Sequence, residues 1–507
     1  MSLIQITDLS FTYEGSYDPV FEHVSFQIDT DWKLGFTGRN GRGKTTFLKL
    51  LMGQLEYTGI ISSAVRFDYF PFPVEDGERT TGEVLEQLIE DEPFWQLDKE
   101  LSKLQVAEEV LYRPFSTLSN GEQTKVLLAA LFLRKGKFLL IDEPTNHLDR
   151  EARQIVSSYL NSKKGFILVS HDRAFLDGCV DHILAVNRAD IEVQRGNFSS
   201  WYENRRRQDD FEQGENERLK KDIRRLKTAA KQSHDWADKA EAAKIGRCPQ
   251  KEETFIGTRA YIGEKSRRMQ NRRKNLERRQ ENAIEVKQGL LKNVESAEKL
   301  KLCPLIHHSE RLVLMENVAV CYGELKKPIC QQVNLELRRG ERIFLQGRNG
   351  CGKSSLLKLI LAGAGRYADR ELSFSGRLWE AAGMKISYVS QDTAWLRGSL
   401  RDYARVCDVE EHLFCALLRK FDFSREQFEK PMESYSEGQK KKVLIARSLC
   451  EQAHLYIWDE PLNFVDVYSR MQIENLILEY QPTMILVEHD EMFARQIAAR
   501  TLQVVRC

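Results

Sequence analysis

The chain of 507 residues has few of the features that mark a membrane-bound or secreted protein. No uninterrupted apolar run approaches the ~20 residues that a membrane-spanning helix needs. The residues after Met1 lack the basic stretch and apolar core that direct secretion. The ten cysteines include no CxxC pair, so reduced thiols are expected. We therefore expect a cytoplasmic protein, for which any role at a membrane would require a separate partner.

Net charge is also nearly absent, but it is unevenly distributed. The whole chain carries +1, whereas residues 220–292 contain 21 Lys or Arg and 10 Asp or Glu, a net charge of +11. The densest run, SRRMQNRRKNLERR, extends from Ser266 to Arg279. Clustered arginine with interspersed Asn and Gln is typical of a surface that faces phosphates. The alternative is a solvated coiled coil with ordinary surface charge.

Proline is scarce in the same part of the chain. Pro249 is the only proline between residues 205 and 301, and nearby glycines favour a chain reversal at this point. Apolar seams on both sides of the reversal predict an antiparallel pair of long helices, the first of them continuing to about Ala243. The glycines are Gly246, Gly257 and Gly263; the rising seam is Leu219, Ile223, Leu226 and Ala230; the returning seam is Met269, Leu276, Ala283, Leu290 and Ala297.

A phosphate-binding loop precedes this segment. The sequence GRNGRGKTT, from Gly38 to Thr46, has the full G-x-x-x-x-G-K-[ST] pattern and is followed by the helix-like FLKLLMG. Glycines let backbone N–H groups close around phosphates, and the helix N-terminus adds positive potential. Lys44 is expected to reach the outer phosphates of a nucleotide, and the Thr45 hydroxyl is expected to ligate Mg²⁺.

Two carboxylates follow a buried strand further along the chain. In FLLIDEP, four apolar residues precede Asp142 and Glu143. Asp142 is expected to hold the Mg²⁺ shell, and Glu143 to orient and polarise the attacking water. A further strand, FILVS, ends at His171, whose imidazole is expected to contact the outer phosphate. The alternative for His171 is a hydrogen-bonded structural histidine.

The same series of motifs returns after the basic segment. The motifs of the second series include GRNGCGKSS, YSEGQ and LYIWDEP. Matching intervals show that this is a repeat, so the chain contains two homologous ATP-binding domains. The interval is 31 residues for Tyr13 to Lys44 and for Tyr322 to Lys353, 22 for Gly121 to Glu143 and for Gly438 to Glu460, and 28 or 29 for Glu143 to His171 and for Glu460 to His489.

Together these motifs resemble a pair of ABC ATPase cassettes, with Walker A loops, signature motifs (LSNGEQ and YSEGQ), Walker B strands, D-loops at Asp149 and Asp466, and switch histidines. Two cassettes, no transmembrane domain and a long charged linker resemble the ABC-F family of translation factors. The resemblance implies an α/β fold of two tandem P-loop ABC-type ATPase domains, residues 1–204 and 304–507. A long antiparallel α-helical hairpin, residues 205–303, would join them.

In that family, the Walker A loop of one cassette and the signature motif of the other enclose each ATP. The resemblance therefore implies two composite sites for ATP with Mg²⁺, which we name site A and site B. Their catalytic residues would be Glu143 with His171 and Glu460 with His489. Site A would comprise Gly38, Asn40, Gly41, Gly43, Lys44, Thr45 and Thr46 with Ser436 and Gly438; site B would comprise Gly347, Asn349, Gly350, Gly352, Lys353, Ser354 and Ser355 with Ser119 and Gly121; the Mg²⁺ ligands would be Thr45 and Asp142 in site A and Ser354, Gln391 and Asp459 in site B.

Some positions differ from the family pattern or allow two interpretations. Tyr13 and Tyr322 occupy the place of the residue that stacks on adenine, but each could be a core aromatic at a strand end. Phe72, in YFPF, stands where a glutamine is usual, whereas Gln391 fills that place in the second series. The first ATP site could thus couple nucleotide to movement differently. A C-terminal ribosome-binding extension after Cys507 is expected to be absent.

Within ABC-F, the chain resembles the Lsa-type antibiotic-resistance proteins, which protect ribosomes from lincosamides, streptogramin A and pleuromutilins. The residues that carry this likeness are DTDWKLGFTGRNGRGKTT, WDEPLNFVD, VEHDEMF and EETFIGTRAY. The resemblance implies binding at the ribosomal exit site with ATP bound, by a monomer whose two cassettes pair, and with the linker tip near the peptidyl-transferase centre. Lys244, Arg247 and Phe255 would then contact tRNA or large-subunit rRNA, although Phe255 could instead pack the helical reversal.

Three other functions remain open on sequence grounds. A housekeeping ABC-F factor that acts on stalled or initiating ribosomes would share every motif. The ATPase subunit of an exporter is disfavoured, because a transporter motor has no evident use for a linker of charge +11. A DNA-tethering ATPase is disfavoured because its coiled-coil spacer would be far longer.

Overall fold

The computed structural model describes most of the chain on either side of residues 243–303. The described residues belong to two compact units, Met1–Trp201 with Lys299–Cys507 and Tyr202–Glu298. Within the first unit we call residues 2–201 the N-terminal half and residues 304–505 the C-terminal half. The described residues are 2–14, 19–74, 76–89, 93–134, 136–146, 148–187, 190–242, 304–322, 328–363, 365, 372–421, 423–497 and 500–505.

The N-terminal half contains a six-stranded sheet and a three-stranded antiparallel sheet. The larger sheet has the order β5-β6-β7-β3-β8-β9 and is parallel except for β9. The smaller sheet has the order β2-β1-β4. The elements are β1 Leu3–Phe11, β2 Phe21–Asp29, β3 Lys33–Thr37, α1 Lys44–Leu51, β4 Thr58–Ser62, β5 Arg66–Phe70, α2 Thr81–Leu88, α3 Phe94–Lys103, α4 Asn120–Leu131, β6 Lys137–Asp142, α5 Arg150–Asn161, β7 Phe166–Val169, α6 Arg173–Cys179, β8 His182–Asn187 and β9 Asp190–Arg195, with 3₁₀ turns at Glu108–Tyr112 and Phe115–Thr117.

The C-terminal half repeats this architecture. Its five-stranded parallel sheet has the order β14-β15-β16-β12-β17, and its antiparallel sheet has the order β11-β10-β13. The predicted repeat and its α/β class are therefore confirmed. The elements are β10 Arg311–Tyr322, β11 Pro328–Arg338, β12 Arg342–Gln346, α8 Lys353–Gly363, β13 Leu372–Glu380, β14 Ile386–Val389, α9 Leu400–Val406, α10 Glu411–Lys420, α11 Arg425–Glu429, α12 Glu437–Cys450, β15 Leu455–Asp459, α13 Val467–Tyr480, β16 Met484–Val487, α14 Glu491–Gln496 and β17 Arg500–Gln503, with a 3₁₀ turn at Met432–Ser434. Here α7 denotes the helix that leaves the N-terminal half, Phe198–Ala242.

The central strands are continuous apolar runs because both faces of a parallel sheet are covered. All four residues of β7 and all five of β15 are buried. Strands β3, β6 and β7 run in the same direction, so their carboxyl ends meet at one edge of the sheet. Ligands of open α/β sheets bind at that edge. The phosphate-binding loop follows β3, Glu143 follows β6, and His171 lies two residues after β7.

Helix α7 has 45 residues and is about 68 Å long at ~1.5 Å per residue. The first long helix of the predicted linker is thus present. The returning seam and the reversal lie outside the described residues, and the domain boundaries at 204/205 and 303/304 stay predictions. Among the described residues, no helix is long and apolar enough to cross a membrane. The seven cysteines of the described part are all free.

The buried strand β6 provides a test of the fold. Leu140 is 0% exposed, so Leu140→Ala should leave a cavity and lower the free energy of unfolding by about 2–5 kcal/mol. Ile60 in β4 is 65% exposed, so Ile60→Ala should change it by less than about 1 kcal/mol. Urea unfolding followed by tryptophan fluorescence would measure both values. Equal losses in the two variants would contradict the burial described for β6.

Candidate functional site

The loop between β3 and α1 needs glycine for steric reasons. Gly43 has φ 88° and caps α1, and a Cβ atom there would lie 2.5 Å from Val20 Cγ1. The helix therefore starts at Lys44, with its N-terminal N–H groups at the loop. The Lys44 ammonium is buried and donates to the carbonyl oxygens of Gly38 at 2.6 Å and Arg39 at 3.3 Å. The loop thus holds a concentrated positive potential, as phosphate binding requires.

The loop between β12 and α8 has the same construction. Gly352 has φ 97°, and Lys353 starts α8. The Lys353 ammonium donates to the carbonyl oxygens of Gly347 at 2.8 Å and Arg348 at 3.0 Å. Two loops of one geometry are therefore present, one in each half.

A hydroxyl and a carboxylate lie together beside each loop. Thr45 Oγ1 donates to Asp142 Oδ2 at 3.1 Å, and Ser354 hydrogen-bonds to Asp459. Burial raises the pKa of Asp459 to about 6, and its Oδ1 is a buried atom that accepts no hydrogen bond from the described residues. Hard oxygen donors of this kind suit Mg²⁺. The residues predicted as ligands in the two sites therefore fit this cation.

The glutamates that directly follow β6 and β15 share an unusual backbone conformation. Glu143 has φ 50° and Glu460 has φ 47°, in the left-handed region that few non-glycine residues adopt. Each backbone N–H donates to the neighbouring strand at 2.9 Å, from Glu143 to Val169 O and from Glu460 to Val487 O. Such strain persists only where the surrounding structure enforces it, and it clusters at functional sites.

In site A, the carboxyl group of Glu143 and the imidazole of His171 are buried together. Burial, followed by the charge of Asp142, raises the pKa of Glu143 to about 8, against the opposing effect of Lys44. Burial, followed by the charge of Lys44, lowers the pKa of His171 well below its ordinary value. His171 Nε2 lies 3.3 Å from Glu143 Oε1. A neutral histidine thus faces a carboxyl group whose pKa is close to that of an effective general base.

In site B, the equivalent carboxylate has polar partners. Glu460 Oε2 accepts hydrogen bonds from Gln391 Nε2 and Asn463 Nδ2, both at 2.8 Å. His489 Nε2 lies 3.7 Å from Glu460 Oε1. Burial alone would raise the pKa of Glu460, but the nearby imidazole of His489, followed by the charge of Lys353, holds it below the ordinary value. Glu460 is therefore ionised at neutral pH, whereas burial favours the protonated form of Glu143.

Site A is built from both halves of the chain. Asn40 Nδ2, in the N-terminal loop, donates to the carbonyl oxygen of Phe464 in the C-terminal half at 2.8 Å. A Cβ atom at Gly438 would lie 3.3 Å from Asn40 Nδ2 and 2.4 Å from Phe464 O. The structure therefore brings the predicted loop of one half to the signature glycine of the other.

Site B is an open cleft of about 1220 Å³ between the two halves. Helix α4 begins at this cleft, and Ser119 caps it by accepting a hydrogen bond from Glu122 N. The cleft is large enough for a nucleotide, which sites of 300–1,000 Å³ typically hold. Its lining includes Ser119, Gly121 and Asp149 from the N-terminal half and Asn349, Gly350, Gly352, Lys353, Ser354, Ser355, Gln391, Glu460 and His489 from the C-terminal half.

A buried ion pair joins the halves on the side of site A. Arg173, two residues after His171, pairs with Glu474 on α13, and both of its terminal nitrogens take part. Arg153 and Arg470 are equivalent residues, since each donates its Nε to the carbonyl oxygen five residues earlier. The residue equivalent to Glu474 is therefore Ser157, which carries no charge. Among the described side chains, the repeat of this arrangement in the other direction therefore lacks the carboxylate that Glu474 provides.

The sequence did not identify several of these residues. Arg173 and Glu474 are 301 residues apart, and Phe464 acts through its backbone, so no motif marks them. Tyr69 donates a hydrogen bond to Asp142. It lies three residues before Phe72, which stands where a glutamine is usual, and this difference from the family pattern could have drawn attention to it. Tyr13 lies outside the core, with 47% of its surface exposed and its hydroxyl 2.7 Å from Thr46 Oγ1. The tip residues Lys244, Arg247 and Phe255 and the side chain of Tyr322 lie outside the described residues.

Known proteins resemble this chain over nearly its whole length. The family model described as ABC transporter matches residues 21–146 and 330–463. The putative ATP-binding protein YdiF of Bacillus subtilis (strain 168) is 27% identical over 99% of this chain and 80% of its own length. The ribosome protection protein VmlR of the same strain is 27% identical over 97% and 84%. Among solved structures, an archaeal ribosome recycling factor, aABCE1, in complex with the stalk protein aP1, has a TM-score of 0.61 at 20% identity, covering 98% of this chain and 87% of its own.

The buried and exposed ion pairs between the halves should differ greatly in strength. Glu474→Gln leaves the buried guanidinium of Arg173 without its charge partner, so the free energy of unfolding should fall by about 3–5 kcal/mol. Arg348→Gln removes the exposed pair with Glu151, whose atoms are 3.4 Å apart, and should cost less than about 1 kcal/mol. Chemical denaturation would measure both. A charge exchange, Arg173→Glu with Glu474→Arg, should restore part of the lost free energy of unfolding. A double variant that is no more stable than the single variants would contradict direct pairing of the two side chains.

The two glutamates should make opposite contributions to the pH dependence of stability. The pKa of Glu143 is raised from 4.5 to about 8, so its ionisation increasingly destabilises the folded chain as the pH rises through this window. Glu143→Gln should therefore become more stable than the wild type between pH 5 and 9, by at most a few kcal/mol. The pKa of Glu460 is lowered, so its stabilising contribution is complete above pH ~5 and Glu460→Gln should show a constant loss. Urea unfolding at several pH values would measure the stability of each variant relative to the wild type. The same pH dependence of this difference in both variants would contradict the prediction.

Proposed function

The chain belongs to the ABC transporter family, whose domain it contains twice, and we propose that it is an ABC-F ATPase that binds the ribosome at the exit tRNA site in its ATP-bound form. In this proposal, the tip of the linker lies near the peptidyl-transferase centre and relieves inhibition by lincosamides, streptogramin A and pleuromutilins. ATP hydrolysis is the reaction common to this family. The relative named as a ribosome protection protein, and the recycling factor with the same fold, support the choice of the ribosome.

The observation that carries the proposal is the combination of two interhalf ATP sites with a basic linker in one chain. Asn40 meets Gly438 in site A, and Ser119 and Lys353 line one cleft in site B. ATP bound in either site would contact both halves, so its binding energy can draw them together. A linker attached to both halves would then change position with the nucleotide state.

The proposed chemistry follows from the residues already described. Lys44 and Lys353 would exchange their loop carbonyl partners for the outer phosphates of ATP. Glu143 and Glu460 would accept a proton from the attacking water and orient it. When bound with ATP, Mg²⁺ neutralises phosphate charge, and the residues that would hold it are Thr45 and Asp142 in site A and Ser354, Asp459 and Gln391 in site B. The amides of Gln391 and Asn463 would hold the Glu460 carboxylate in place for this task. The remaining loop and signature residues predicted from the sequence would enclose the phosphates through backbone N–H groups.

The charge of the linker supports a nucleic-acid partner. Residues 220–292 carry +11, and the described start of this segment on α7 exposes Lys220, Lys221 and Arg224. Cations in this density favour the phosphates of large-subunit rRNA and tRNA. Lys244, Arg247 and Phe255 remain the proposed tip contacts. We place the protein in the cytoplasm as a monomer, because the ribosome is there and the two halves pair within one chain.

A housekeeping ABC-F factor that acts on stalled ribosomes is the second candidate. The relative YdiF, named only as an ATP-binding protein, is as similar to this chain as VmlR is. The basic linker and both ATP sites would serve that function equally. The two candidates differ only in whether antibiotic protection is the physiological result.

Ribosome binding can be tested with a variant that binds ATP without hydrolysing it. The double variant Glu143→Gln, Glu460→Gln should co-sediment with ribosomes in the presence of ATP, because the closed form persists. The matched control is Lys44→Ala, Lys353→Ala, which removes the phosphate contacts and should remain in the supernatant. Sedimentation of the trapped variant with membranes or DNA, and not with ribosomes, would overturn the proposal.

Drug protection can be tested in cells. Expression of the wild-type chain should lower susceptibility to the three drug classes, and replacement of residues 244–255 by a short Gly-Ser turn should abolish this effect while ATP hydrolysis continues. Unchanged susceptibility on wild-type expression, with ribosome co-sedimentation intact, would favour the housekeeping function. Full protection by the shortened linker would contradict a role for its tip.

A further inference from the structure

The two halves differ at one position beside the carboxylates that would bind Mg²⁺. In the N-terminal half, Tyr69 pairs with Leu140 and Phe70 with Ile141. In the C-terminal half, Tyr388 pairs with Ile457 and Val389 with Trp458. Asp142 lies two residues after Leu140, and Asp459 two residues after Ile457, so the registers are equivalent. Phe72 and Gln391 therefore occupy the same place, three residues after the equivalent tyrosines.

The side chains at this place have different partners. Gln391 Nε2 donates to Glu460 at 2.8 Å and is part of the lining of site B. Phe72 has no side-chain polar atom, and its ring lies 5.0 Å from the guanidinium carbon of Arg134. Site A therefore receives no polar side-chain atom from the position that supplies Gln391 to site B.

A tyrosine hydroxyl reaches site A from the same strand instead. Tyr69 OH donates to Asp142 Oδ2 at 3.0 Å, and the same oxygen accepts from Thr45 Oγ1 at 3.1 Å. Leu140, which pairs with Tyr69, and Asp142 lie on the same face of the sheet because they are two residues apart on β6. The ring of Tyr69 thus extends along the strand toward its carboxyl end. Two donors fix the orientation of this carboxylate.

We propose that Tyr69 is a positioning residue for ATP hydrolysis in site A, where its hydroxyl holds the Asp142 carboxylate in place for Mg²⁺. The proposal rests on the assignment of Asp142 to the Mg²⁺ of site A and is independent of the ribosome as partner. Groups that orient a metal ligand typically change metal affinity by 10-fold or more when removed.

The test uses the full-length chain and compares two variants of the same chemistry. Tyr69→Phe removes only the hydroxyl that binds Asp142, and Tyr388→Phe removes the equivalent hydroxyl in the C-terminal half. Binding of Mn²⁺, as a spectroscopic substitute for Mg²⁺, would be titrated by electron paramagnetic resonance with a non-hydrolysable ATP analogue present. Tyr69→Phe should weaken one of two Mn²⁺ sites about 10-fold and leave the other unchanged, whereas Tyr388→Phe, in the C-terminal half, should leave the site that Tyr69→Phe weakens unchanged.

A second variant provides an independent test. Phe72→Gln should change Mn²⁺ affinity by less than about threefold, since the hydroxyl of Tyr69 still holds Asp142. Wild-type Mn²⁺ affinity in Tyr69→Phe, or equal weakening of the same site in Tyr388→Phe, would each overturn the proposal. A failure of ribosome co-sedimentation would leave these results unaffected.

Discussion

The buried ion pair between Arg173 and Glu474 is the constraint on which the arrangement of the two halves depends. Charges removed from water are costly unless each remains close to its partner, and this pair lies across the boundary between the halves. It therefore disfavours separation at that point. Asn40 and Phe464 are in contact on the same side, and the loop of site A lies against the signature glycine of the other half. The open cleft of site B lies on the side where Ser157 occupies the position equivalent to Glu474.

Two copies of one motif series have different electrostatics in this chain. Glu143 and Glu460 share a strained backbone and a hydrogen bond to the adjacent strand. Glu143 lies in the contacted site, where burial raises its pKa to about 8. Glu460 borders the open cleft, accepts hydrogen bonds from Gln391 and Asn463, and has a pKa that His489 and Lys353 lower. These four neighbours belong to the same half as Glu460, so the difference arises from the degree of burial and from the residues that each half places around its own glutamate.

The features that could be predicted from the sequence are the ones that depend on residues close together along the chain. The loops, the carboxylate strands and the repeat were recognisable because glycine conformation, apolar runs and fixed intervals are local properties. Arg173–Glu474 and Asn40–Phe464 were not, since they join residues 301 and 424 positions apart and exist only after the halves have packed. Tyr69 is an intermediate case: the departure at Phe72 was visible, but strand register was needed to show which side chain reaches Asp142.

One aromatic residue connects the contacted site with the start of the linker. The ring of Tyr468, on α13, lies 5.7 Å from the guanidinium carbon of Arg39 in the phosphate-binding loop. The same ring meets Trp201, in the first turn of α7, edge to face at 6.4 Å. Coupling requires a packed element that two sites both bias, and Tyr468 lies between them on the helix that also carries Glu474. Through Tyr468, α13 therefore packs against both the loop of site A and the first turn of α7. The asymmetry of the ion pair thus extends to the base of the basic linker.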